Sequence, residues 1–149
     1  MNVFGNKTKF AIECKVNGVS PYIMGYIRLW LQNSYIGFFD EEVMLVTSLG
    51  SLEELVGENR AERLKKISVP KEMSDEKLLK LLENDKGKIH DYTMFNVDES
   101  TDDFSIHIYR DGQLMNFLWR LHISPARKYG NYPGKTFSVA IDFSELSNT

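Results

Sequence analysis

The fold class this sequence predicts is α+β, a single domain over residues 1–149 with a mostly antiparallel sheet. Three observations predict it. An Asp111-Gly112 dipeptide separates two alternating runs between Phe104 and Ile123, a strong short-range hairpin signal. Lys9 to Val16 alternates apolar and polar residues as a half-buried strand does. The elements run strands, two helices, strands, an order that favours about six to seven strands with both central helices packed on one face.

Taken in order, the first run places Phe10, Ile12, Cys14 and Val16 on one side, with Glu13 and Lys15 on the other. Asn17-Gly18 and Ser20-Pro21 mark a loop. Tyr22 to Gln32 follows as a second strand, with Ile23, Ile27, Leu29 and Leu31 opposite Tyr26, Arg28 and Trp30. Gly25 within it signals a bulge or a close backbone approach. Asn33-Ser34 is expected to turn the chain into a third strand, Tyr35 to Phe39, and Val43 to Val46 is an apolar run of either type. Ser51 and Glu54 have capping-box spacing, which predicts a helix whose stripe starts at Leu52, Leu55 and Val56 and extends to Leu64 and Ile67, with Pro70 as its stop. Ser74 caps a second helix, Asp75 to Asn84, with Leu78, Leu79, Leu81 and Leu82 as its stripe. From Ile89 the pattern returns to β, and the last strand is Thr136 to Phe143.

If Asp111-Gly112 is itself the two-residue turn, Ile108 faces Met115, Ile106 faces Phe117, Phe104 faces Trp119 and His107 faces Asn116. One face is then wholly apolar. The other carries Ser105, His107, Asn116, Arg120 and His122, relieved by Tyr109, Leu114 and Leu118.

The composition bounds the function classes. Hydrophobic residues make up 42% of the 149 and aromatic residues 12%, which is the make-up of a folded chain. A net charge of −3 argues against a general nucleic-acid binder, whose domain is normally basic. Cys14 stands alone, so no intrachain disulfide calls for an oxidising compartment. The start MNVFGNKTKF lacks a signal-peptide core and no run is long enough to span a membrane, so a cytoplasmic location is expected.

No HExxH, CxxC, GxSxG, P-loop or dinucleotide-binding motif is present, so neither a metal nor a cofactor is expected. Cys14 on an alternating strand reads as a small buried hydrophobe, and the histidines, His90, His107 and His122, as surface positions. Trp30 and Trp119 read as core. Asp98, Glu99, Asp102 and Asp103 put four carboxylates in six residues without the spacing of a calcium loop. Either they form a solvated acidic loop or they recognise a basic protein surface. Asp40, Glu41 and Glu42 form a second candidate patch. Tyr129 and Tyr132, between Arg127, Lys128 and Lys135, suit a protein interface or a stacked single strand.

Phe4-Gly5-Asn6 followed by Lys9-Phe10-Ala11-Ile12-Glu13, then Gly25-Tyr26-Ile27-Arg28-Leu29-Trp30-Leu31 running into Ile36-Gly37, then Thr47-Ser48-Leu49 before a helix, form a pattern with a known counterpart. It resembles the bacterial immunity proteins of polymorphic-toxin and contact-dependent inhibition systems, most closely the family called immunity protein 42. Gly5-Asn6 stands where that family usually has Gly-Asp, and the likeness runs over residues 4 to 56. It implies a non-enzymatic, cytoplasmic inhibitor in a one-to-one complex with the C-terminal domain of a cognate toxin, often a nuclease, without membrane or nucleic-acid partners. An acidic loop such as Asp98 to Asp103 would then occupy a basic groove on that toxin. A small-ligand or single-stranded nucleic-acid module of the same fold class is the alternative reading.

Overall fold

Alternating and helical patterns in the sequence resolve, among the residues described, into eight strands and three helices in a computed structural model. It describes residues 2–37, 39, 41–56, 64–84, 93, 95–97, 101–122 and 132–146. The α+β class and the antiparallel pairing hold. The strands fall into two sheets, one in each of two compact units.

The first unit comprises Met1–Glu58, Asn96–Asp103 and Ser144–Thr149. Its sheet holds β1 (Asn2–Asn6), β2 (Phe10–Gly18), β3 (Met24–Leu31) and β4 (Ser34–Ile36) in that order, with β5 (Val43–Met44) also paired to β3. β1 extends the expected sheet by a strand, joined through a turn in which Asn6 Oδ1 accepts from the Thr8 amide at 2.9 Å and its hydroxyl at 2.7 Å. The β3–β4 turn is Gln32-Asn33, one residue earlier than the sequence suggests, with Leu31 paired to Ser34. Both turn residues have positive φ, 48° and 69°. Bonds from their amides to the Lys9 and Lys7 carbonyls, at 3.0 and 2.8 Å, hold a conformation that Gln does not favour by itself.

Gly25 does mark a close approach. A Cβ there would lie 2.1 Å from the Lys15 carbonyl oxygen and 2.9 Å from Leu45 Cδ1, beside a register shift between Val16 and Gly18. The inner face of the sheet carries Phe10, Cys14, Ile27, Leu29, Leu31, Ile36 and Val43, all buried. Helix α1 (Leu45–Val56) covers it with Leu45, Ser48, Leu52 and Leu55, a stripe at helical spacing. The helix therefore starts six residues before Ser51, which is no cap: its hydroxyl donates to the Thr47 carbonyl at 3.4 Å. The uncertain run Val43 to Val46 is divided between strand and helix.

The second unit comprises Asn59–Phe95 and Phe104–Phe143. Its sheet has β6 (Phe104–Asp111), β7 (Leu114–Leu121) and β8 (Phe137–Asp142) in order. The hairpin turns at Gly112-Gln113, with Asp111 paired to Leu114 and Ile106 to Trp119. Only Gly112 needs positive φ, at 61°, as a type II′ turn requires. The register moves by two residues relative to the expected pairing, so every side chain keeps its face. His107 consequently pairs with Leu118 and not with Asn116.

Both faces of this hairpin are covered. Phe104, Ile106, Ile108, Met115, Phe117, Trp119 and Leu121 are buried on one side. On the other, helix α2 (Asp75–Asn84) lays Leu78, Leu79 and Leu82 on Tyr109 and Leu118. Each such leucine contributes about 2 kcal/mol of apolar burial. Ser74 caps α2 as the sequence indicates, its hydroxyl accepting from the Lys77 amide at 3.3 Å. The segment before α2 is not the tail of a helix: Lys66 forms a parallel bridge with Arg110 at the open edge of β6. The strand expected from Ile89 lies largely outside the described residues. The closing helical turn, α3, is Phe143–Leu146.

Candidate functional site

Period-two alternation along β3 sorts its side chains into two classes. Ile27, Leu29 and Leu31 are buried inward, while Met24, Tyr26, Arg28 and Trp30 are half-buried on the outer face. Cross-strand pairing adds Ala11, Glu13 and Lys15 from β2, Val3 from β1, Tyr35 from β4 and Met44 from β5. These residues form a sheet face rich in aromatic groups, Met and Arg, the types enriched where proteins dock.

Glu13 organises it. The side chain is 2% exposed and its carboxylate accepts from Trp30 Nε1 at 2.7 Å, from Lys7 Nζ at 2.8 Å and from Arg28 Nη2 at 3.3 Å. Burial pushes the carboxyl up, but the bonds from Lys7 and Trp30 and the charge of Arg28 outweigh it and hold the pKa below its ordinary 4.5. The Arg28 guanidinium lies 4.7 Å from the Tyr35 and Phe39 ring centroids and 5.1 Å from that of Trp30. Lys7 Nζ lies 4.4 Å from the Trp30 centroid. Gly37, at φ 115°, lets the backbone pass beside Arg28: a Cβ there would sit 3.3 Å from Arg28 Cβ.

Trp30 is thus a surface platform and not core. The signal was the polar-aromatic alternation Tyr26-Arg28-Trp30, which reads as the solvent side of a strand unless the buried Glu13 opposite Arg28 is known.

The acidic and tyrosine candidates fare unequally. Asp98, Glu99, Asp40 and Tyr129 lie outside the described residues. Asp102 is exposed and its carboxylate accepts from Asn96 Nδ2 at 2.8 Å; Asp103 is half-buried. The buried Thr101 before them donates to Asn96 Oδ1 at 3.0 Å and accepts from the Val97 amide at 3.1 Å. Glu42 is exposed and accepts from Asn17 Nδ2, and Glu41 is half-buried. All four described carboxylates belong to the first unit. Tyr132 is buried, not presented at the surface. It is 6% exposed, its hydroxyl accepts from Trp119 Nε1 at 2.9 Å, and its ring packs on Phe104 and Phe137. The Tyr132 ring is therefore not open to stacking by a ligand from solvent.

His107 and Cys14 are enclosed, His122 is exposed as expected, and His90 lies outside the described residues. His107, expected at the surface, is 1% exposed and shares a 2.8 Å hydrogen bond with Thr93 Oγ1, on the face of the hairpin where α2 packs on Tyr109 and Leu118. Cys14 is buried, and burial pushes its thiol above the ordinary value, against nucleophile chemistry. Among the described residues no group of three His, Cys, Asp or Glu side chains converges as a metal site. No helix among them is long and apolar enough to cross a membrane. A cavity of about 410 Å³ beside α2 is lined by Ile67, Ser68, Val69, Pro70, Met73, Leu78, Leu81, Leu82 and Asn84, none of them an acid or base.

Compared with known families, residues 1–149 match the family model described as immunity protein 42. The resemblance read on residues 4 to 56 is borne out and extends over the whole chain. No curated protein sequence matches. Among solved structures the chain is similar to CdiI from Burkholderia dolosa AUO158, with a TM-score of 0.66 at 12% identity, over 98% of this chain and 94% of that one. At that identity the likeness is one of fold.

Proposed function

The chain belongs to the immunity protein 42 family, and from that premise we propose that it binds and neutralises a cognate bacterial toxin domain, with no catalysis of its own. The whole-chain family match carries this reading. The half-exposed face around Arg28, Trp30 and Tyr35 supports it, since a binding protein needs aromatic and Arg anchors held in place before the partner arrives. Protection acts in the cytoplasm of the producing cell and its siblings, through a one-to-one complex that covers the toxin's active site or an adjacent surface.

The toxin in this reading is a nuclease. Its groove for phosphate is basic, and Asp98, Glu99, Asp102 and Asp103, with Asp40, Glu41 and Glu42, supply carboxylates to steer encounter with it. Tyr129 is a further candidate contact. A tight complex buries about 1,600 Å², so one loop is only part of the interface.

The test is affinity purification of the tagged chain from its own host, with the bound proteins identified by mass spectrometry. A toxin C-terminal domain in a salt-resistant one-to-one complex is the expected outcome. No toxin domain recovered from a lysate that contains one refutes the reading. Charge reversal at Asp98, Glu99, Asp102 and Asp103 is expected to slow association about tenfold at low salt and flatten its salt dependence. Unchanged kinetics would remove the acidic loop from the interface.

A further inference from the structure

We propose that the outer face of the first sheet docks an acidic segment of the toxin domain, with Arg28 as the central anchor; this rests on the immunity reading above. A sheet normally buries both faces or covers one and wets the other with small polar groups. Here α1 covers the inner face, while the outer one presents Tyr26, Arg28, Trp30 and Tyr35, each half-buried. Val3 and Met44 border them at 45% and 38% exposure.

The charge of the face names the partner's chemistry. Among the described residues Lys7, Lys15 and Arg28 stand there against the carboxylate of Glu13, with exposed Glu42, bonded by Asn17, two residues from Met44. Glu13 is buried beneath its partners, so the excess that reaches solvent is positive although the whole chain is at −3. Arg28 keeps hydrogen-bonding capacity in reserve. Its one bond to Glu13 is long, at 3.3 Å, and its Nε is buried without an acceptor among the described residues. A carboxylate arriving at the guanidinium, whose side chain is 22% exposed, meets a planar fork that three rings and Glu13 already hold in place. Little side-chain freedom remains to be lost on binding. The acidic loop and this face thus address opposite charges on one partner.

Two variants test this, with the toxin domain recovered by affinity purification as the probe. Lys7→Glu with Lys15→Glu reverses two exposed charges and is expected to slow association about tenfold at low salt. Arg28→Lys keeps the charge but loses the planar fork, and is expected to speed dissociation about tenfold with an unchanged circular dichroism spectrum. Both rates unchanged, while the wild-type chain still binds, would overturn the assignment of this face and leave the immunity reading standing. Failure of the wild-type chain to bind any toxin domain refutes both. A concentration-dependent dimer of the wild-type chain that the double reversal abolishes, with toxin binding unaltered, would overturn it too, by giving the face to a second copy.

Discussion

Replacing Glu13 by Gln changes one atom type at the point where the outer face is tied together. The carboxylate accepts hydrogen bonds from Trp30, Lys7 and Arg28 at 2.7, 2.8 and 3.3 Å. An amide with its oxygen in the Oε2 position still accepts from the indole and from Lys7, but it carries no charge and turns its N–H donors toward Arg28. A hydrogen bond involving a charged group is worth about 1.5–3 kcal/mol. The Lys7 contribution is discounted, since its ammonium is 39% exposed and water can replace the carboxylate. Arg28, at 22%, has less recourse to water and is held by its rings. The net destabilisation expected is about 2–3 kcal/mol, or about 4–12 °C in Tm for a chain of this size.

The same residue fixes a pH signature. Because the folded carboxyl lies below its ordinary 4.5, the unfolded chain takes up the proton first as the pH falls. The stability Glu13 supplies is therefore complete above the unfolded value and lost as the pH falls through the folded one. Gln binds no proton there. The gap in Tm between the wild-type chain and Glu13→Gln should shrink when melts at about pH 7 are repeated at about pH 3. A loss under about 1 °C at neutral pH, or an equal gap at both pH values, would refute the account of this cluster.

Three further substitutions probe the frame that holds the site. Gly25→Ala sets a methyl 2.1 Å from a backbone oxygen and 2.9 Å from Leu45, and is expected to cost at least about 3 kcal/mol in urea unfolding, because the backbone of β2 must move. Tyr132→Phe removes the hydroxyl that accepts from buried Trp119 Nε1. The orphaned indole donor should cost about 1–3 kcal/mol, read by the same melt, whereas an interface tyrosine would leave stability unchanged. Gly112→Ala, at φ 61° with open space around it, should cost about 1 kcal/mol from the backbone alone, with the hairpin register retained by NMR.

Local chemistry determined a good deal by itself. The alternation of β2, β3 and the β6–β7 hairpin, the Ser74 cap and the leucine stripe of α2 are periodic or capping signals whose cause lies within a few residues. Gly25 announced a close approach, and the short blocks around it and Gly37 carried the family. Where long-range contacts choose among local options, the sequence alone was insufficient. Gln32-Asn33 became a positive-φ turn because the Lys7 and Lys9 carbonyls accept its amides, although Asn33-Ser34 is the better turn pair by composition. Asp111-Gly112 yielded to Gly112-Gln113, and α1 began at Leu45 because Leu45, Ser48, Leu52 and Leu55 gain burial on the first sheet that a cap at Ser51 could not offset.

The site was the least legible part. Tyr26, Arg28 and Trp30 lie on one face by simple alternation, but only pairing in space sets Glu13 beneath Arg28, brings Lys7 and Tyr35 around Trp30 and leaves the assembly facing water. The same kind of pairing drew Tyr132 and His107 inward. Residue type and period decide which side of a strand a group takes; what covers that side is decided by elements far away in the chain, and burial, charge pairing and exposure follow from the cover.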